Sequence, residues 1–449
     1  MPDNPTLVRA IGRWSLAALI LNSIIGTGVF ILPGTIAGML GWPGIFAWIA
    51  AAIIIGAMVF CFAEVASRFT GAGGAYLYAD VAFGRFAGIQ VGWLMYFARC
   101  ITAAVQANLF TTYLAEFWPS AATRSGGIAV TTVFLGTLAV VNLRSVKQGA
   151  NVSNFFAIVK VVPLLIFGAM GVAWLLGGHG VVTPAGSDPT SGGWLRAMLL
   201  LMFGYGGFEA GLIPLAEAKN PKRDAPFALI VGLALVTLVY LAAQVTVLAT
   251  LPDPGGSARP LADAARVIVG AGGAAFMAVA ALLSVYGWLA SNMLTVPRLS
   301  TAMADRGDFP KVFAWVHPRY RTPWVSIIFF AAVGWILAIQ AGLLQNLSLS
   351  AVSRLIPYGV VCAALPVLRR RDGQGEQGEQ GEQGEQGEQG EQEGGRAEFK
   401  VRGGVALSVI GVLASLVLAS RMNMRELIAM AVAVGLGTVY WMVTKREES

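Results

Sequence analysis

Apolar runs of twenty or more residues recur along nearly the whole chain, and this recurrence decides the class of fold before any single residue does. A helix rises about 1.5 Å per residue, so such a run matches a hydrocarbon core about 30 Å thick. Of 449 residues, 56% are hydrophobic and only 12% are charged. A soluble chain of this length would hold about three domains. Here the apolar surface has lipid to face, and the sequence reads as one polytopic, all-α membrane domain. Twelve spans are predicted, near 14–40, 44–67, 86–117, 126–142, 151–176, 194–217, 226–250, 265–297, 324–343, 347–368, 399–419 and 424–443.

The charge lies in alternate loops. One side holds most of the basic residues, from Arg9 and Arg13 through Arg68, Arg85, Arg144 and Arg369–Arg371 to Lys445 and Arg446. The other side holds only Arg124, Arg196, Arg259, Arg266, Arg421 and Arg425. The positive-inside rule then predicts that residues 1–13 and 444–449 are both cytoplasmic, in a plasma (inner) membrane. It also accounts for the net charge of +7 without a nucleic-acid partner. No cleavable signal peptide is expected, because the first apolar segment is too long and lacks a small-residue cleavage site.

Two glycine-rich interruptions sit inside spans. Gly26-Thr27-Gly28 lies in the first and Gly204-Tyr205-Gly206-Gly207 in the sixth. Glycine costs roughly 1 kcal/mol per position in a helix interior relative to alanine. Backbone freed at membrane depth is tolerated only where it is buried in protein or lines a cavity. Close helix packing through small residues is the competing explanation, but two interruptions at corresponding places in two halves point to a transporter site. Entering at Trp14, the chain reaches Gly26 after roughly 18 Å; entering from the opposite side at Trp194, it reaches Tyr205 after roughly 16 Å. Both breaks therefore fall near the midplane. Spans 1 and 6 each begin a group of five, the arithmetic of an inverted 5+5 repeat (residues 14–176 and 194–368) with two trailing helices (399–443). A break exposes N–H groups on one half-helix and C=O groups on the other, which is a receptor for a small zwitterion.

Other features constrain function by exclusion. Cys61, Cys100 and Cys362 all lie in apolar segments, so neither a disulfide nor a metal cluster is expected. His179 and His317 are predicted in loops. No nucleophile–base set or acidic metal cluster falls in a span, so no enzyme, cofactor or metal site is expected. A Gly-Glu-Gln repeat from Gly373 to Gly395 is polar and glycine-rich and is expected to be a disordered cytoplasmic loop, within 369–398. A channel or membrane receptor fits the composition but has no need of two midplane breaks.

The residues resemble the amino acid–polyamine–organocation superfamily of amino acid permeases. Ser23-Ile24-Ile25-Gly26-Thr27-Gly28-Val29-Phe30 is similar to that family's first-helix signature, and Phe203-Gly204-Tyr205-Gly206-Gly207-Phe208-Glu209 to its sixth-helix run. Glu217 through Pro226 and Arg298 through Pro323 match two further motifs. Gly204 replaces the usual alanine and is expected to widen the pocket slightly; Ala218 replaces a usual glutamate.

The resemblance implies a fold like that of the leucine transporter, with broken helices 1 and 6 holding a free α-amino acid. N–H groups of Gly26, Thr27 and Gly28, beside Ile25, are expected to hold the carboxylate, aided by the positive end of the following half-helix. Carbonyls of Ile24, Phe203, Gly204 and Gly206 are expected to hold the ammonium. Tyr205 and Phe208 are candidate pocket walls or lids. Lys160 lies roughly 14 Å into the fifth span, where a lysine must face the bundle interior. The resemblance implies that it replaces a sodium ion, touches the first helix, and ties occupancy to gating or carries a coupling proton. Glu209 reads as a half-helix cap, part of a proton path, or a reader of cationic substrates. Glu64 and Glu217 read as cytoplasmic-side partners of Arg68 or Lys219, and Arg99 and Arg354 as buried structural pairs. The function implied is sodium-independent secondary transport of α-amino acids by alternating access. It is coupled to protons, favours broad neutral substrates and has no obligate protein partner. The alternative is an exchanger, with cationic amino acids as its candidate substrates.

Overall fold

A computed structural model describes residues 11–69, 73–144, 150–179, 191–212, 215, 218–378 and 397–446. Every extended element in them is helical. In chain order they are α1 (Arg13–Ile24), α2 (Thr27–Leu40), α3 (Gly44–Ala66), α4 (Ala75–Phe83), α5 (Arg85–Leu114), α6 (Arg124–Arg144), α7 (Ala150–Leu176) and α8 (Ser191–Tyr205). Then follow α9 (Pro221–Thr250), α10 (Pro260–Val269), α11 (Ala271–Asp305), α12 (Trp324–Gln340), α13 (Leu343–Gly378), α14 (Gly404–Ala419) and α15 (Met424–Arg446).

Among the described residues, eight helices are long and apolar enough to cross a membrane alone. The pair α1 and α2 makes a ninth span, bent by 50° at its break. Two shorter apolar helices, α12 and α14, fall below that length. The predicted sixth span, 194–217, is α-helical only to Tyr205; a turn at Gly206–Gly207 leads into a 3-10 helix, Phe208–Leu212.

Burial sorts the bundle. α5 is its axis: an 18-residue window of this helix is 94% buried, against 11% for α15. The axial helix is also the least apolar of the spans, because its polar side chains find partners inside protein. α6, α7 and α15 carry large apolar residues outward, such as Val133, Ile158 and Leu436, as lipid-facing helices should.

Two short helices were hidden in the sequence. α4 precedes α5, and α10 precedes α11. Each is joined to its long successor by one glycine of nearly the same conformation, Gly84 (φ 86°, ψ 173°) and Gly270 (φ 77°, ψ −161°). Positive φ at these corners favours glycine. The predicted span 265–297 therefore splits, since 265–269 belong to α10. The Gly-Glu-Gln segment also departs from expectation at its start. α13 runs on to Gly378, carried past the apolar stretch by Arg369 and Asp372, which pair with Glu64 and Arg68. Residues 379–395 of the repeat, Arg396 and Glu217 lie outside the described residues.

Candidate functional site

The first break forms where the sequence places two small residues against crowded neighbours. α1 ends at Ile24, Ile25 is extended, and Gly26 caps α2 with no side-chain hydrogen bond to the helix start. The first N–H groups of α2 thus have neither an intrahelical partner nor a side-chain cap. A side-chain end crowds Gly26, and backbone dictates glycine at Gly28. A Cβ on Gly26 would overlap Gln106 Nε2, and one on Gly28 would come 2.9 Å from Gly204 Cα. Thr27 Oγ1 donates to Gln106 Oε1 at 2.7 Å.

The carbonyls freed at the end of α1 are taken by side chains from three other helices. Lys160 Nζ donates to Asn22 O at 3.0 Å and Ile25 O at 3.1 Å. Trp288 Nε1 donates to Ser23 O at 3.1 Å. Tyr240 donates to Gly204 O at 2.8 Å, with Ile24 O at 3.5 Å. Lys160, on α7, is fully buried. It presents its ammonium where a cation would find two backbone oxygens.

The second break lies directly against the first. Gly207 has φ 115°, and a Cβ there would overlap Ser23 O. This is the position where both conformation and contact exclude any other residue. A Cβ on Gly206 would overlap Arg354 Nη1. Gly206 N closes the α8 end onto Phe203 O at 3.1 Å. Gly204 does not open a pocket: a Cβ there would lie 2.8 Å from Leu32 Cδ1, so leucine fills the space that alanine would take.

Glu209 caps this turn. Its Oε2 accepts from Gly207 N at 2.9 Å and Tyr358 OH at 2.6 Å, and its Oε1 pairs with Arg99 at 2.6 Å. Both oxygens are engaged, so Glu209 is not free to read a cationic substrate. Arg99 has the partner its position demanded. Arg354 does not: its Nη2 donates to Thr102 Oγ1 at 2.8 Å and its guanidinium lies 5.5 Å from the Phe203 ring centre. No carboxylate lies within 4.0 Å of it among the described residues.

The aromatic candidates separate. Tyr205 turns toward α3 and α9, edge-on to Trp48 and tilted against Tyr240. Phe208 sits edge-on to Phe62 and tilted against Tyr358. Glu64 pairs chiefly with Arg369 at 2.6 Å and only loosely with Arg68 at 3.9 Å. Cys61, Cys100 and Cys362 are free and buried. Two open clefts of about 880 and 700 Å³ lie elsewhere, at the ends of α5 and α12 that face away from the Glu64 cluster; no residue of either break lines them.

Sequence reasoning missed Gln106, Tyr240, Trp288 and Tyr358. One signal was available for the first: Arg99, Thr102 and Gln106 recur at helical spacing and mark one polar face of an apolar span.

Comparison with known proteins follows the same pattern. The amino acid permease family matches residues 11–420. The serine/threonine exchanger SteT of Bacillus subtilis (strain 168) is 28% identical over 383 residues, 81% of this chain and 84% of the relative. The methylthioribose transporter of the same organism is 26% identical over 393 residues, 82% of each chain. Cationic amino acid transporter 4 of Mus musculus is 26% identical over 384 residues, 81% of this chain and 60% of the relative.

Proposed function

This chain belongs to the amino acid permease family, and from that premise we propose that it carries α-amino acids across the plasma membrane by alternating access, without sodium. One observation carries the reading: two glycine breaks in contact, one offering uncapped N–H groups at the start of α2, the other presenting Phe203 O and Gly204 O at the end of α8, which accept from Gly206 N and Tyr240. The first suits a carboxylate, favoured further by the helix dipole; the second suits an ammonium. Gln106 Nε2 adds a donor over Gly26.

Sodium independence is supported by Lys160. Its ammonium occupies the Asn22 and Ile25 oxygens, the hard oxygen ligands that a metal cation would need. The same lysine is the candidate to link occupancy of the break, or a proton, to the state of the gate. The recurring unit of short helix, positive-φ glycine and long helix at α4–α5 and α10–α11 supports the inverted 5+5 repeat within a twelve-span chain. The loop charges support cytoplasmic termini.

A second reading, amino acid exchange, is favoured by the similarity to a serine/threonine exchanger. Uptake into proteoliposomes separates the two. Uptake in sodium-free buffer that responds to a pH gradient supports proton symport; uptake only into vesicles preloaded with amino acid supports exchange. Failure of every common amino acid to enter under either condition would reject transport of this class.

A further inference from the structure

The side of the second break that faces α5 and α13, away from the Gly204 carbonyl and Tyr240, holds more positive charge than its own residues neutralise. Arg99, Glu209 and Arg354 are each 2% exposed and converge on the Gly206–Gly207 turn. Two guanidiniums there face one carboxylate. Both oxygens of that carboxylate are committed, to Arg99, Tyr358 and the Gly207 amide. Arg354 is left with a hydroxyl and a ring. Two of the arginine nitrogens, Arg99 Nη1 and Arg354 Nε, are buried and find no hydrogen-bond partner among the described residues. Two buried guanidiniums sharing one carboxylate leave a net positive charge that is strongly disfavoured at membrane depth, and an anion arriving from outside the chain would neutralise it.

Building on the amino acid transport reading above, we infer that the substrate carries a side-chain carboxylate: it is an acidic amino acid, with its α-carboxylate at the first break and its side chain between Arg354 and Arg99. The spacing along α5 fits. Gln106 covers Gly26 and Thr27, and Thr102, one helical turn away, touches Arg354. The rise between them is about 6 Å. The two carboxyl carbons of glutamate are four bonds of about 1.5 Å apart, roughly 5 Å when extended. On this inference acidic amino acids take precedence over the neutral substrates expected from the sequence, and Glu209, already paired, gives no separate ground for cationic ones.

The experiment compares near-isosteres, one with a side-chain carboxylate and one with a neutral amide. The full-length protein in chloride-free proteoliposomes is assayed with radiolabelled glutamate and radiolabelled glutamine, each competed by the other and by the remaining common amino acids. Glutamate is expected to half-saturate uptake at a concentration at least tenfold below glutamine. It is also expected to raise the thermal transition of the detergent-purified wild type at concentrations where glutamine does not. In Arg354→Gln the preference for glutamate should fall at least tenfold, and Arg354→Lys should restore part of it. Glutamine matching or exceeding glutamate in the wild-type protein would overturn the inference while leaving amino acid transport intact. Glutamine uptake that requires added chloride would assign the arginines to an inorganic anion and overturn it equally. Uptake of no amino acid at all, by protein with a sharp thermal transition, would remove the underlying transport reading instead.

Discussion

Replacing Lys160 by alanine tests whether the first break is held together by its cation. The ammonium makes two hydrogen bonds, to Asn22 O at 3.0 Å and Ile25 O at 3.1 Å, with full burial. Bonds to a charged donor contribute about 1.5–3 kcal/mol each, and a buried acceptor left bare costs about 1–3 kcal/mol. Relief from burying the charge offsets much of this. A net penalty of about 2–3 kcal/mol on the assembled break is about 30- to 150-fold in its population. Initial uptake by Lys160→Ala in sodium-free proteoliposomes should therefore fall at least 30-fold and lose its dependence on pH. Added sodium should restore part of the rate, because two backbone oxygens stand free for a hard cation. Wild-type rate and wild-type pH dependence in the variant, with equal protein inserted, would refute the argument.

Further expectations follow from single contacts. Gly206→Ala drives a methyl into Arg354 Nη1 and to 2.9 Å from Met202 O, so uptake should be lost although the protein still inserts; unchanged transport would contradict the packing at the second break. Glu64→Gln leaves Arg369 facing a neutral amide where it had a two-point pair at 2.6 Å on each arm. Breaking a fully buried pair costs about 3–5 kcal/mol; the Arg369 side chain is 27% exposed, so solvent offsets part of that cost and the thermal transition in detergent should drop by a few degrees. Asp80, on α4 outside the spans, has its carboxyl pushed above the usual range by burial and then by nearby Asp308. A group raised in the folded state contributes stability at low pH that is lost as pH rises through its folded value. Asp80→Asn should therefore stabilise the protein near pH 7 and have little effect near pH 3, read by thermal shift at both.

What the sequence disclosed and what it concealed divide along physical lines. The break at Ile25–Gly26 was legible because glycine in a long apolar run has a known cost and a short list of reasons. Lys160 was legible because depth follows from helical rise alone. Gln106 and Arg354 were not assigned to the breaks, since their partners lie 79 and 252 positions away and distance along the chain carries no trace of contact. α4 and α10 escaped because a helix of nine or ten residues lying beside a span does not interrupt the count of apolar residues. The half-helix expected after Gly207 is a 3-10 turn over Phe208–Leu212, set by the Glu209 cap and not by the local apolar pattern. Gly204 was misjudged for a related reason: the room left by a missing methyl belongs to whichever neighbour reaches it, here Leu32.

Transport of this kind requires that the peptide groups of the two helix breaks hold both charged ends of a free amino acid. Competition by end-blocked substrates tests it most directly, using the best wild-type substrate, its N-acetyl derivative and its α-carboxamide, with the side chain unchanged throughout. Each blocked end forfeits charge-assisted bonds of about 1.5–3 kcal/mol apiece, so both derivatives should compete at least tenfold more weakly than the parent. Undiminished competition by either one would mean that the corresponding end is not held at the break, and the account would fail there.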